Sequence, residues 1–109
     1  MADSLTQLRR GSLELAVLAL LRDEPRYGVE IVEELAARSG LEASSGTVYP
    51  LLTRLKNSGL VDTSWQESPL GPPRKYYTLS ASGQKRLTAY RGAWQTLSST
   101  MTDLLKETR

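Results

Sequence analysis

The sequence predicts a mainly α-helical fold with one small β-hairpin, and three observations predict it. Apolar residues recur at helical spacing in four segments, while strict alternation of faces is confined to residues 60–79. Serines stand ahead of helical stretches (Ser4, Ser44, Ser45, Ser80), and glycines stand just past them (Gly40, Gly59). The last helical stretch carries an apolar seam that a domain of this size cannot cover along its whole length.

Ser4-Leu5-Thr6-Gln7 has the spacing of a capping box and predicts a helix over 4–22. Gly11 weakens its middle, and Ser12 is an alternative cap for a later start. Leu13, Ala16, Val17, Leu20 and Leu21 form its main stripe, and Leu15, Leu18 and Ala19 extend the apolar surface almost all round. Such a helix is buried on more than one side, which in a small chain points to a partner subunit. Its first turns, with Leu5, Leu8, Arg9 and Arg10, face either that partner or nucleic acid.

Asp23-Glu24-Pro25 ends this helix, because proline disfavours the helical conformation in the residue before it. Tyr27-Gly28 opens a second helix over 27–39, with Tyr27, Ile31, Val32, Leu35 and Ala36 inward. Its outer Glu30, Glu33, Glu34 and Arg38 read as a solvated face that would repel phosphates. Leu41–Ser44 reads as an extended connector or a short first strand.

The third helix starts near 45–47 and stops at Ser58-Gly59. Val48, Leu51, Leu52 and Leu55 make its apolar stripe. The other face offers Thr47, Tyr49, Thr53, Arg54 and Lys56, hydrogen-bonding groups without a carboxylate among them. Pro50 must sit early in this helix; with a start as early as Ser45 its missing N–H costs one bond.

Residues 60–67 read as a half-buried strand with Val61, Thr63 and Trp65 on one face. Ser68–Pro73 reads as a loop without a regular ladder, and Arg74–Leu79 as the returning strand, so the hairpin has a basic base. Ser80 caps a last helix over 81–107. On it, Leu87, Tyr90, Trp94, Leu97, Met101 and Leu104 are spaced 3, 4, 3, 4, 3, as in a coiled-coil seam. A second copy of the chain is the expected cover, ahead of packing on the chain's own first helix.

Composition narrows the function. The chain has 109 residues, no cysteine and no histidine, which removes thiolate chemistry, disulfides, and the commonest general base and metal ligand. No nucleophile–base constellation is visible among the twelve carboxylates, so an enzyme is not expected, nor a cofactor. The densest apolar run, Leu13–Leu21, is too short to span a bilayer and contains Glu14, and no signal peptide is recognisable; a soluble cytoplasmic protein is expected. Net charge is +2, unevenly spread: residues 43–91 carry seven basic and two acidic groups, whereas residues 1–42 carry five and eight. The basic excess surrounds the acid-free helix, as expected of a polyanion binder.

The order helix, helix, helix, hairpin, long helix is that of a winged helix-turn-helix with an added C-terminal dimerisation helix. Residues 1–79 would be the DNA-binding domain and residues 80–109 the dimerisation helix. The third helix would then enter the major groove of double-stranded DNA, with the hairpin as the wing.

Several segments resemble the PadR family of transcriptional regulators: Gly11–Leu21 (GSLELAVLALL), Tyr27-Gly28, Ser45–Leu55 (SGTVYPLLTRL), Gly59-Leu60-Val61 and Arg74–Gly83 (RKYYTLSASG). The likeness covers roughly residues 8–105 and is closest to short members with a single C-terminal helix. It implies a homodimeric regulator, usually a repressor, on a palindromic promoter site.

Chemistry and resemblance together nominate Ser45, Thr47, Tyr49 and Arg54 for the major groove and its flanking phosphates. Lys56, Arg74 and Lys75 are read as phosphate contacts, which position without specifying sequence. Two readings stay open for Tyr49, base contact and helix–helix packing. In PadR-like multidrug-binding regulators, a tryptophan in the C-terminal helix meets its dimer mate and stacks flat aromatic compounds. Trp94, eleven residues after Gly83, matches that place. The resemblance thus implies a planar apolar effector against Trp94, Tyr90 and Leu97, with Leu15 and Leu18 as lining; a plain dimer-interface tryptophan is the other reading. A winged helix used only as a protein-interaction module is the alternative function.

Overall fold

Apolar side chains from four helices, between residues 13 and 87, meet in one core, and the sheet closes its side. The structure, a computed structural model, describes residues 4–107. Helix α1 spans Ser4–Arg9, α2 Leu13–Leu20, α3 Gly28–Ala36, α4 Ser45–Asn57 and α5 Ala81–Glu107. Strand β1 is Arg26–Tyr27, β2 Val61–Ser68 and β3 Gly71–Leu79, forming an antiparallel sheet in the order β1-β3-β2. The core joins Val17 and Leu18 of α2, Ile31 and Leu35 of α3, and Val48, Leu52 and Leu55 of α4, each at most 1% exposed.

The single helix expected over 4–22 is two helices. The chain breaks after Arg9 in a turn closed by the Ser12 N–H on the Arg9 carbonyl at 2.8 Å. The break falls at Gly11, whose backbone freedom makes helix continuation costly. Ser12 precedes α2, but its side chain does not cap it. The second helix is shorter than expected, ending at Ala36. The Tyr27 N–H at its start donates to Glu30 Oε1 at 3.1 Å.

The first strand is not at 41–44. It is Arg26–Tyr27, paired with Tyr77 and Tyr76 of β3. Arg26 Nε donates to the Leu20 carbonyl at 2.8 Å, which ties this strand to the end of α2. Strand β3 begins at Gly71 rather than at Arg74. Gln66 faces Arg74 and Ser68 faces Gly71, so Pro72 and Pro73 stand opposite Glu67 alone, in a bulge. A bulge interrupts the ladder, so two residues without N–H groups are accommodated there. Trp65, expected on a half-buried face, is 69% exposed.

Helix α4 and its exit are fixed by local bonds. The Leu60 N–H donates to the Leu55 carbonyl and the Gly59 N–H to the Lys56 carbonyl, both at 3.0 Å, with Gly59 at φ +78°. This is a Schellman motif, which needs a left-handed residue at that position. It turns the chain directly into β2. Ser80 then locks the sheet to α5: its hydroxyl donates to the Gly59 carbonyl at 2.7 Å and accepts the Gly83 N–H at 3.0 Å. Gly83 lies against the Leu60 carbonyl, where a side chain would collide with backbone.

Candidate nucleic-acid interface

The inner stripe of α4 is fully used. Val48, Leu51, Leu52 and Leu55 are at most 5% exposed. At about 100° per residue, the positions opposite that stripe are Gly46, Pro50, Thr53 and Asn57, all exposed. Thr47 and Arg54 lie on one flank of this outer face, and Ser45, Tyr49 and Lys56 on the other. Small residues at the crest let the helix approach a groove closely, with longer donors on each side. Ser44 precedes the helix, with its hydroxyl 3.4 Å from that of Thr47. Pro50 falls in the second turn, so the Gly46 carbonyl cannot receive the usual helical N–H.

Each flank borders a cleft. The first, about 470 Å³, is lined by Arg9, Arg10, Gly11, Leu13, Glu14, Thr47, Leu51 and Arg54. It places Arg9, at the end of α1, and Arg10, in the turn that follows, beside the reading candidate Arg54. The second, about 460 Å³, lies between α4 and the hairpin and includes Tyr49, Thr53, Trp65, Arg74 and Lys75. Here the cations rest on rings: the Arg74 guanidinium is 4.5 Å from the centre of Tyr27, and Lys75 Nζ is 5.8 Å from that of Tyr77. Tyr76 meets Tyr27 edge-on at 5.5 Å. Burial pushes the Tyr77 hydroxyl above the ordinary tyrosine range, and Tyr49 adds to the shift.

Tyr49 serves packing while keeping an exposed edge. It is 38% exposed, and its ring lies over Gly28, where an added Cβ would come within 2.5 Å of Cε1. Gly28 is therefore the seat of the tyrosine. On the acidic face of α3, Glu34 bonds Arg38 at 2.9 Å and lies 3.9 Å from Arg26.

The outer part of α5 has a different character. Trp94 is 49% exposed, Leu97 56%, Met101 45% and Leu104 52%. Beside them, Gly11, Ser12, Leu15, Tyr90, Ala93, Trp94 and Leu97 line a groove of about 190 Å³. Leu87, expected on the seam between subunits, is instead buried in the core of its own chain at 3%. Leu18, expected as lining near Trp94, is fully buried and does not reach the groove. Both lie where α2 and α5 converge on the shared core, so intrachain packing takes them. Leu15 and Tyr90 line the groove with Trp94 and Leu97.

Residues 17–89 match the model of the PadR-like family of transcriptional regulators. The chain belongs to that family. It is similar to the PadR family regulator from Eggerthella lenta, with 36% identity, a TM-score of 0.83, and coverage of 96% of this chain and 90% of that one. The PadR-like regulator from Bacillus cereus gives 33% identity and a TM-score of 0.83, over 91% and 96% of the two chains. Transcriptional regulator Rv3488 of Mycobacterium tuberculosis is 33% identical over 84% of this chain and 83% of its own length.

As a PadR-like chain it is a DNA-binding transcriptional regulator with a winged-helix fold and a long C-terminal helix. The structure brings Ser45, Thr47, Tyr49, Arg54 and Lys56 together around α4, with Arg74 and Lys75 across the second cleft. Thr53 and Asn57 at the crest were not among the nominated contacts, although helical spacing alone points to them. Glu14 was not nominated either. Nothing local signals it, because its partners lie 40 and 72 residues away in sequence. No helix among the described residues is long and apolar enough to cross a membrane.

Proposed function

We propose that this PadR-like regulator acts as a cytoplasmic homodimer that represses a palindromic promoter site. In this reading, a planar apolar effector at the subunit interface relieves the repression. The observation that carries the DNA-reading part is the acid-free outer face of α4, flanked by clefts holding Arg9, Arg10 and Arg54 on one side and Arg74 and Lys75 on the other. Cations on both flanks suit phosphates of the two strands bordering a groove, while the crest and Arg54 address base edges. Residues 1–79 act as the DNA-binding part and residues 80–109 as the pairing element.

The seam on α5 supports the dimer. This helix has 27 residues, so it is about 40 Å long. Its run of half-exposed apolar side chains is the kind of surface that soluble chains cover with a partner. The groove beside Trp94 supports the effector. At about 190 Å³ it is smaller than a typical small-molecule site of roughly 300–1,000 Å³. Two grooves facing each other across a dimer reach the lower part of that range and place two indoles around one flat compound.

Anisotropy titration of duplexes selected by the chain from a randomised pool tests the reading. Arg54→Ala should weaken binding by about 1–3 kcal/mol and relax sequence preference. Lys75→Ala should lower affinity for all sequences and reduce the salt slope by about 1. Indifference of the wild-type chain to duplex DNA at low salt would instead leave the protein-interaction module. For the effector, Trp94→Ala should abolish fluorescence-detected binding of planar dyes; unchanged dye affinity would remove that part of the proposal.

A further inference from the structure

Two arginines of opposite duties share one carboxylate. Glu14, on α2, is only 19% exposed. Its Oε1 lies 3.9 Å from Arg54 Nη2 on the outer flank of α4. Its Oε2 accepts Arg86 Nη1 of α5 at 3.2 Å. Arg86 in turn donates to the Tyr90 hydroxyl at 3.4 Å, with its guanidinium 5.4 Å from that ring's centre. Tyr90 lines the groove with Trp94 and Leu97. A continuous polar chain thus runs from the α5 groove through Arg86 and Glu14 to Arg54.

We propose that Glu14 is a positioning residue for Arg54, and that Arg86, held by Tyr90, fixes where Glu14 presents its charge. The proposal rests on the reading of Arg54 as a DNA contact. The pair with Arg54 adds little stability, since that side chain is 65% exposed and well screened. Its consequence is directional. An arginine has many rotamers, and a partly buried carboxylate on one flank restricts them to the first cleft, beside Thr47. A restrained guanidinium meets a matching base with less ordering cost than a free one. The same negative charge disfavours approach of DNA in general. Glu14 therefore raises discrimination while lowering overall affinity.

The test compares affinities for duplexes selected by the wild-type chain from a randomised pool with those for unselected duplexes. Glu14→Gln should bind unselected duplexes more tightly and narrow the ratio of selected to unselected affinity by about threefold or more, within the range of coupled neighbours. Glu14→Asp, which restores the charge, should recover part of the ratio. Tyr90→Phe, which keeps the ring and removes the hydroxyl, should shift the ratio in the same direction by less, and should add nothing in the Glu14→Gln background. If Glu14→Gln folds and keeps the wild-type ratio, or if Tyr90→Phe acts equally in both backgrounds, the proposal is overturned while DNA reading stands. Should Glu14→Gln not fold, an unchanged ratio in Tyr90→Phe overturns it alone. A wild-type chain that selects no duplex overturns both readings together.

Discussion

Helices α4 and α5 carry apolar stripes of similar spacing and meet opposite fates. On α4, Val48, Leu51, Leu52 and Leu55 vanish into the core. On α5, burial stops after Leu87, and Trp94, Leu97, Met101 and Leu104 stay about half exposed. The difference lies in what surrounds each stripe. Helix α4 has 13 residues, and its stripe packs against α3 and β2 within the shared core. Beyond its second turn, α5 is bordered by Gly11, Ser12 and Leu15 along the groove at Tyr90–Leu97, and its apolar side chains from Trp94 to Leu104 stay about half exposed. A periodic stripe tells which face is apolar; the reach of the rest of the chain decides whether that face is a core or a surface awaiting a partner.

Substitutions should separate the two stripes. The largest effect is expected for Leu52→Ala, which empties a fully buried site: about 2–5 kcal/mol of stability lost in urea unfolding. A loss under 1 kcal/mol would mean the α4 stripe is not the core it looks to be. Next, Leu97→Glu should leave helix content unchanged and shift sedimentation from dimer to monomer. An unaltered dimer would place the pairing surface elsewhere. The smallest expected effect is that of Gly28→Ala, which must displace the Tyr49 ring. A cost of about 1–3 kcal/mol follows from overpacking, together with weaker DNA binding through the shifted tyrosine. If binding is unchanged, Tyr49 only packs.

The sequence announces whatever is decided locally. The boundaries of α4, its Schellman exit at Gly59 and the Ser80 cap rest on bonds between near neighbours, and these were legible. The extension of β3 back to Gly71 was not, because a glycine and two prolines carry the signature of a loop, and only the pairing of Gly71 with Ser68 of β2 carries the strand past them. Strand β1 has two residues and therefore no period to read. The break at Gly11 was visible as a weakness but not as a stop. Leu18 and Leu87 sit on stripes whose outward reach was legible, yet which of their members the core would claim depends on how α2 and α5 converge. Around α4 the donor-rich face could be read directly, whereas the partnership of Glu14 with Arg54 and Arg86 arises only when three helices meet.

In the proposed dimer, the α5 seam presents the α4 reading face twice to one duplex. Hydroxyl-radical footprinting on a wild-type-selected duplex, with the mass of the complex measured alongside, tests it most directly. Two chains per duplex are expected, with two symmetric protected patches about 34–36 Å apart, or a multiple of that spacing. Leu97→Glu should lose the paired pattern. One chain on one patch, or a paired pattern that survives Leu97→Glu, would contradict it.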